Sequence, residues 1–110
     1  VDSSSQIPVI SIEGQITTFS DVAIRDAFMS IHTGEPQLII IDFKMVTYIN
    51  SAGIAILVSL VTEAEKGAGR LLFSGLVPHY RRVMEIVGIT DYVGCFDSVE
   101  DAIQSRGSRT

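Results

Sequence analysis

Apolar positions in this chain recur at two periods, and the switches between them mark its elements. Ile7-Pro8-Val9-Ile10-Ser11-Ile12 largely alternates apolar with polar, as an early strand with one covered face does, and Gly14 predicts a bulge or turn before Ile16. Thr17-Thr18-Phe19-Ser20-Asp21 supplies capping side chains for a helix carrying Val22, Ile24, Ala27, Phe28 and Ile31, which Gly34-Glu35-Pro36 should end. Leu38-Ile39-Ile40-Ile41 is a continuous, mostly β-branched run of the kind that forms a strand buried on both faces. Asp42-Phe43-Lys44-Met45-Val46-Thr47 is expected to lead out of it. Ile54, Leu57, Val58 and Val61 return at helical spacing, and Lys66-Gly67-Ala68-Gly69 stops that second helix. Arg70-Leu71-Leu72-Phe73-Ser74-Gly75 reads as the next strand, and Pro78 suits the first turn of a third helix through Val83, Met84 and Val87, closed by Gly88. A short strand over 92–96 follows, and Ser98-Val99-Glu100-Asp101, like a capping box with Asp in the usual Glu place, opens a last helix through Ala102 and Ile103. The polar tail 105–110 is expected to fray. Strands alternating with helices predict an α/β fold with helices covering a sheet, and no internal repeat is present.

Composition narrows the function classes. With 110 residues and 46% hydrophobic content the chain can build one domain around a single core. Its 8 basic against 13 acidic residues give a net charge of -5, which opposes binding to nucleic acid or anionic lipid and favours a basic partner surface. The longest apolar stretch, 54–61, is interrupted by Ser59 and falls far short of the roughly 20 residues of a membrane span. Val1-Asp2-Ser3-Ser4-Ser5 lacks the basic and apolar segments of a signal peptide, and the single Cys95 makes no intrachain disulfide, so the expected compartment is the cytoplasm.

The chemistry concentrates at Tyr48-Ile49-Asn50-Ser51-Ala52-Gly53, where an apolar strand gives way to a helix. A helix starting near Ser51 has unsatisfied N–H groups and a positive dipole end there, so an anion on the Ser51 oxygen gains about 0.3–1 kcal/mol. The plainer reading makes Ser51 or Asn50 an N-cap. Enzyme readings find little support, and no cofactor is called for. His32 and His79 lie far apart without ligand spacing, and Cys95 has no adjacent cation and reads as a packing residue. No GxGxxG or Walker sequence is present. A Ser51, His79, Asp42 triad lacks any support from the sequence. Asp42 stands at the expected carboxyl end of the central strand, where α/β proteins gather functional groups, although a turn residue would read the same way.

From 7 to 103 the chain resembles the STAS domain family, and within it the bacterial anti-sigma factor antagonists. The resemblance rests on Ile40-Ile41-Asp42-Phe43 with Tyr48-Ile49-Asn50-Ser51-Ala52-Gly53-Ile54, on Ile12-Glu13-Gly14-Gln15-Ile16, and on Val83-Met84-Glu85-Ile86-Val87-Gly88-Ile89 ahead of Phe96-Asp97-Ser98 and Ala102. It implies a single STAS domain over 1–110, core about 7–103, with a mixed sheet of about four to five strands and about four helices mainly on one face. It further implies a non-enzymatic cytoplasmic switch. The unmodified protein binds an anti-sigma factor that is also a serine kinase of ATPase fold, releasing a sigma factor; phosphorylation ends the binding and a serine phosphatase restores it. The serine matched to the phosphorylation site is Ser51. Thr17, Thr18, Asp42, Asn50, Ser51, Ala52 and Gly53 form the implied partner surface, with no metal, nucleic acid or membrane involved and a monomer or weak homodimer expected. Gly53 and Ala52 suit close approach of another backbone, or tight packing of the helix on the sheet.

Two positions depart from the antagonist pattern. Asn50 stands where Asp usually precedes the serine, and Thr17 where an Asp is common near the glycine turn. Asn50 still caps a helix but carries no charge beside the acceptor. Thr17 and Thr18 offer hydroxyls near the same surface, as alternative acceptors or as helix caps. The alternatives to an antagonist are a STAS interaction module of a sensory assembly or transporter, unregulated by phosphorylation, and a nucleotide or small-anion binding domain using the helix start at Ser51.

Overall fold

The structure is a computed structural model describing residues 7–31 and 37–105. The elements follow the order read from the apolar periods: β1 (Val9–Ile16), α1 (Asp21–Ile31), β2 (Gln37–Ile49), α2 (Ser51–Glu63), β3 (Gly69–Ser74), α3 (Pro78–Val87), β4 (Gly94–Phe96) and α4 (Val99–Ser105). Short 3-10 turns, Thr18–Ser20 and Ile89–Asp91, precede α1 and β4, and α2 runs into a π-helical turn, Ala64–Ala68. The expected stop at Gly34-Glu35-Pro36, His32, and the tail beyond Ser105 lie outside the described residues.

The sheet order is β1-β2-β3-β4, and all three pairings are parallel. The α/β class holds, but among the described residues the sheet is parallel where a mixed one was expected. Each pair of neighbours is consecutive in the chain and joined through a helix, the crossover that returns the chain to the same end of the sheet and sets the strands parallel.

Along β2 the side chains alternate between two cores. Ile39, Ile41 and Phe43 join Ile10, Ile12, Ile16, Leu71 and Phe73 beneath α1, α2 and α3, whereas Ile40 meets Leu72 and Ala102 of α4 on the other face. Three helices on one face and one on the other explain why this run is uninterrupted by polar residues. Arg25, paired with Asp21, reaches Ser59 and ties α1 to α2.

β2 does not end near Ile41 as expected; it continues to Ile49. Its register against β1 shifts between Ser11 and Glu13 and again between Gly14 and Gln15, each shift placing one extra residue in β2. The two bulges re-phase the pleat, so that Phe43, Val46 and Ile49 all pack on the larger core. That spacing of three hides the strand from a search for period two. Cys95 packs beside the same core, and burial pushes its thiol above the ordinary value, opposed by the weaker pull of Arg81. No cation adjoins Cys95 in the sequence, but the fold brings Arg81 of α3 to it, donating to Cys95 O at 2.8 Å.

Candidate functional site

β2 ends against the start of α2, and Asn50 makes the joint. Its backbone N–H donates to Ile16 O at 3.2 Å, its Oδ1 accepts from Gly53 N at 2.8 Å, and its carbonyl accepts from Ile54 N at 2.9 Å. Asn50 is therefore the N-cap of α2. Of the four N–H groups that a helix start leaves without intrahelical partners, those of Asn50 and Gly53 are satisfied, which leaves those of Ser51 and Ala52. Ser51 is exposed at the first helical position, and Ala52 is half-buried beside it. Neither of the flanking stretches, 14–20 and 43–62, contains an Asp or Glu, so a negative group on Ser51 meets no carboxylate from either.

Gly53 is buried, and a Cβ there would lie 2.3 Å from Ile16 O and 2.9 Å from Ile16 C and Cγ2. The backbone that approaches this glycine is the chain's own, which favours helix packing over a partner as the reason for glycine. From Ile16 the chain enters the Thr17 turn. Thr17 N donates to Ser20 Oγ at 3.0 Å and Phe19 N to Thr17 Oγ1 at 3.2 Å, a reciprocal capping box, while Ser20 Oγ donates to Gln15 O at 3.1 Å. Thr17 is thus engaged in capping, and Thr18 is exposed beside it. Behind the joint, Tyr80 Oη of α3 accepts from Ile49 N at 3.1 Å and fixes the last residue of β2.

Asn50, Ser51, Ala52, Gly53, Thr17 and Thr18 are brought together at this end of the sheet. Asp42 is not. It pairs with Ser11 and Ser74 in mid-strand, seven residues from Ile49 and hence roughly 20 Å away along β2. Its Oδ1 accepts from Ser74 Oγ at 3.0 Å and from Lys44 N at 3.2 Å, within a cleft of about 430 Å³ also lined by Gly75, Asp97, Ser98 and Glu100. That removes Asp42 from any triad with Ser51, and the exposed His79 sits against the Tyr80 ring. Among the described residues no cluster of three or more His, Cys, Asp or Glu side chains could hold a metal ion, and no helix is long and apolar enough to cross a membrane. Sequence reasoning missed Ile16, Phe19 and Tyr80. The Thr17-x-x-Ser20 spacing was visible, but nothing in it showed where Phe19 would stand.

The cap makes a local prediction. Asn50→Ala should cost about 1 kcal/mol of stability, whereas Asn50→Asp should retain nearly all of it, since Asp caps as well as Asn. Urea denaturation of the two variants measures the difference, and an Asn50→Ala variant as stable as the parent would show that the side-chain cap contributes nothing.

A family model described as STAS domain matches residues 1–102. Solved structures share the fold. A sulfate transporter family protein from Wolinella succinogenes has a TM-score of 0.78 at 18% identity, over 93% of this chain and 85% of that one. An anti-sigma-factor antagonist (STAS) domain protein from Planctomyces limnophilus has a TM-score of 0.77 at 19% identity, over 96% and 93%. The anti-sigma factor antagonist SpoIIAA in its unphosphorylated form has a TM-score of 0.66 at 21% identity, over 93% and 89%. With the family model covering nearly all of its length, the chain belongs to the STAS domain family.

Proposed function

We propose that this domain is a cytoplasmic anti-sigma factor antagonist: it binds an anti-sigma factor that is also a serine kinase of ATPase fold, so freeing a sigma factor, and phosphorylation of Ser51 ends the binding. The observation that carries this reading is the exposed Ser51 hydroxyl at the first position of a capped helix, with the amides of Ser51 and Ala52 left over by the Asn50 cap. A phosphate there adds about -1.5 to -2 charge, which the helix start favours and an apposed protein surface must desolvate or repel. The domain therefore keeps its fold while the complex loses affinity, and a serine phosphatase resets it. The likeness to antagonist structures supports the same reading. The test is titration of the unmodified protein into a purified complex of an ATPase-fold anti-sigma factor and its sigma factor from the same genome. Stoichiometric release of sigma, followed by fluorescence anisotropy, is expected. Failure to bind any such anti-sigma factor of that genome contradicts the reading.

A second reading rests on Asn50, which removes the charge that antagonists usually carry beside the acceptor, and on the likeness to a sulfate transporter family protein. In it the same surface binds a partner without being phosphorylated. A stable complex in which Ser51 remains unmodified in the presence of ATP distinguishes it.

A further inference from the structure

Phe19 is 95% exposed. It is the most solvent-open of the large apolar side chains among the described residues, and its backbone has little freedom to turn away. Four hydrogen bonds close the turn around it: Ser20 N to Thr17 O at 2.9 Å, Phe19 N to Thr17 Oγ1, Thr17 N to Ser20 Oγ, and Ser20 Oγ to Gln15 O. Both capping side chains are thus spent on holding the turn that carries the ring outward.

The turn belongs to the Ser51 end of the molecule. Phe19 lies three residues beyond Ile16, whose carbonyl receives the Asn50 N–H and abuts Gly53, so its Cα is within roughly 11 Å of the joint on which α2 starts. A specific protein interface covers roughly 800 Å² on each partner, a patch about 30 Å across, and one centred on Ser51 takes in the turn. Interface energy concentrates in a few aromatic and Arg anchors, and an anchor already fixed in place loses little freedom on binding.

From these observations we propose that Phe19 is the aromatic anchor of the surface switched at Ser51, inserting into an apolar pocket on the ATPase-fold partner. This rests on the function proposed above. The stretch around the ring, 14–20, carries no charged side chain, so the contact that receives it is apolar. Phe19 and Ser51 then act separately. The ring supplies affinity whatever the phosphorylation state, and the hydroxyl decides whether the surrounding contact can close.

The test is isothermal calorimetry of the full chain and of Phe19→Ala, Phe19→Tyr and Ser51→Glu against the purified ATPase-fold anti-sigma factors of the same genome. Phe19→Ala should weaken binding about thirtyfold or more, the loss of an anchor residue. Phe19→Tyr should stay within about threefold, and thermal unfolding of both Phe19 variants should match the parent because the ring is exposed. Undiminished affinity in Phe19→Ala, with binding lost in Ser51→Glu, overturns the anchor and leaves the switch standing. Affinity lost in Phe19→Ala but kept in Ser51→Glu overturns the switch and supports the anchor. No complex with any anti-sigma factor of the set overturns both.

Discussion

Ser51→Glu weakens binding to the ATPase-fold partner by roughly a hundredfold or more and leaves the domain folded: that is the expected result of placing a fixed charge where the switch is proposed. Within the domain the new carboxylate sits at the first turn of α2, near the amides of Ser51 and Ala52, where a negative charge gains about 0.3–1 kcal/mol. At the interface the same carboxylate must lose its water, and a penalty of only ~3 kcal/mol corresponds to a hundredfold in affinity. Ser51→Ala, which removes the acceptor without adding charge, should bind like the parent and resist regulation. Calorimetry for affinity and thermal unfolding for integrity, on both variants, separate the effects. Full affinity in the acidic variant sinks the switch.

Gly53→Ala should be the most damaging small substitution at the site, costing about 3 kcal/mol, at the upper end of ordinary overpacking. Its methyl would stand 2.3 Å from Ile16 O and 2.9 Å from two further Ile16 atoms, of which O and C are backbone and cannot rotate away. Relief requires the end of β1 and the start of α2 to part, and that movement stretches the Asn50 N–H bond to Ile16 O. In a domain of this size the loss lowers Tm by more than about 10 °C. Differential scanning calorimetry measures it, and a transition within about 2 °C of the parent would show that the joint is not held as described.

The element order was legible because Ile10 and Ile12 in β1, Ile24 and Phe28 in α1 and Met84 in α3 keep the periods on the buried side, although Val22 and Val87, read into the same helices, are exposed. The length of β2 was not. Two bulges move its inward residues to Phe43, Val46 and Ile49, and the exposed Lys44, Met45, Thr47 and Tyr48 between them read as a loop. Asp42 was read at the end of β2 for the same reason: it lies mid-strand there, level with Ser74, the last residue of β3. Strand direction was not read from the sequence: a mixed sheet was expected, and the described strands are all parallel.

At the candidate site, Asn50 and Ser51 could be read from a β-to-helix switch, because capping chemistry is local. Thr17 could be read for the same reason, as a cap. What the sequence left open at Gly53 was which backbone approaches it, and the answer, Ile16, comes from the end of β1, thirty-seven residues earlier in the chain. Phe19 and Tyr80 escaped notice because nothing local tells an exposed ring from a packed one, or a phenol bonded to Ile49 N from one bonded to water.

Whether Ser51 is phosphorylated by the partner it binds decides the switch. The purified domain is incubated with ATP, magnesium and the ATPase-fold kinase it binds, and the phosphate is located by peptide mass spectrometry. Phosphate on Ser51, absent from Ser51→Ala, is the predicted result. A stable complex with the kinase but no phosphate on Ser51 would contradict it, and would make this a STAS binding domain whose uncharged Asn50 and Thr17 stand where the phosphorylated antagonists carry acids.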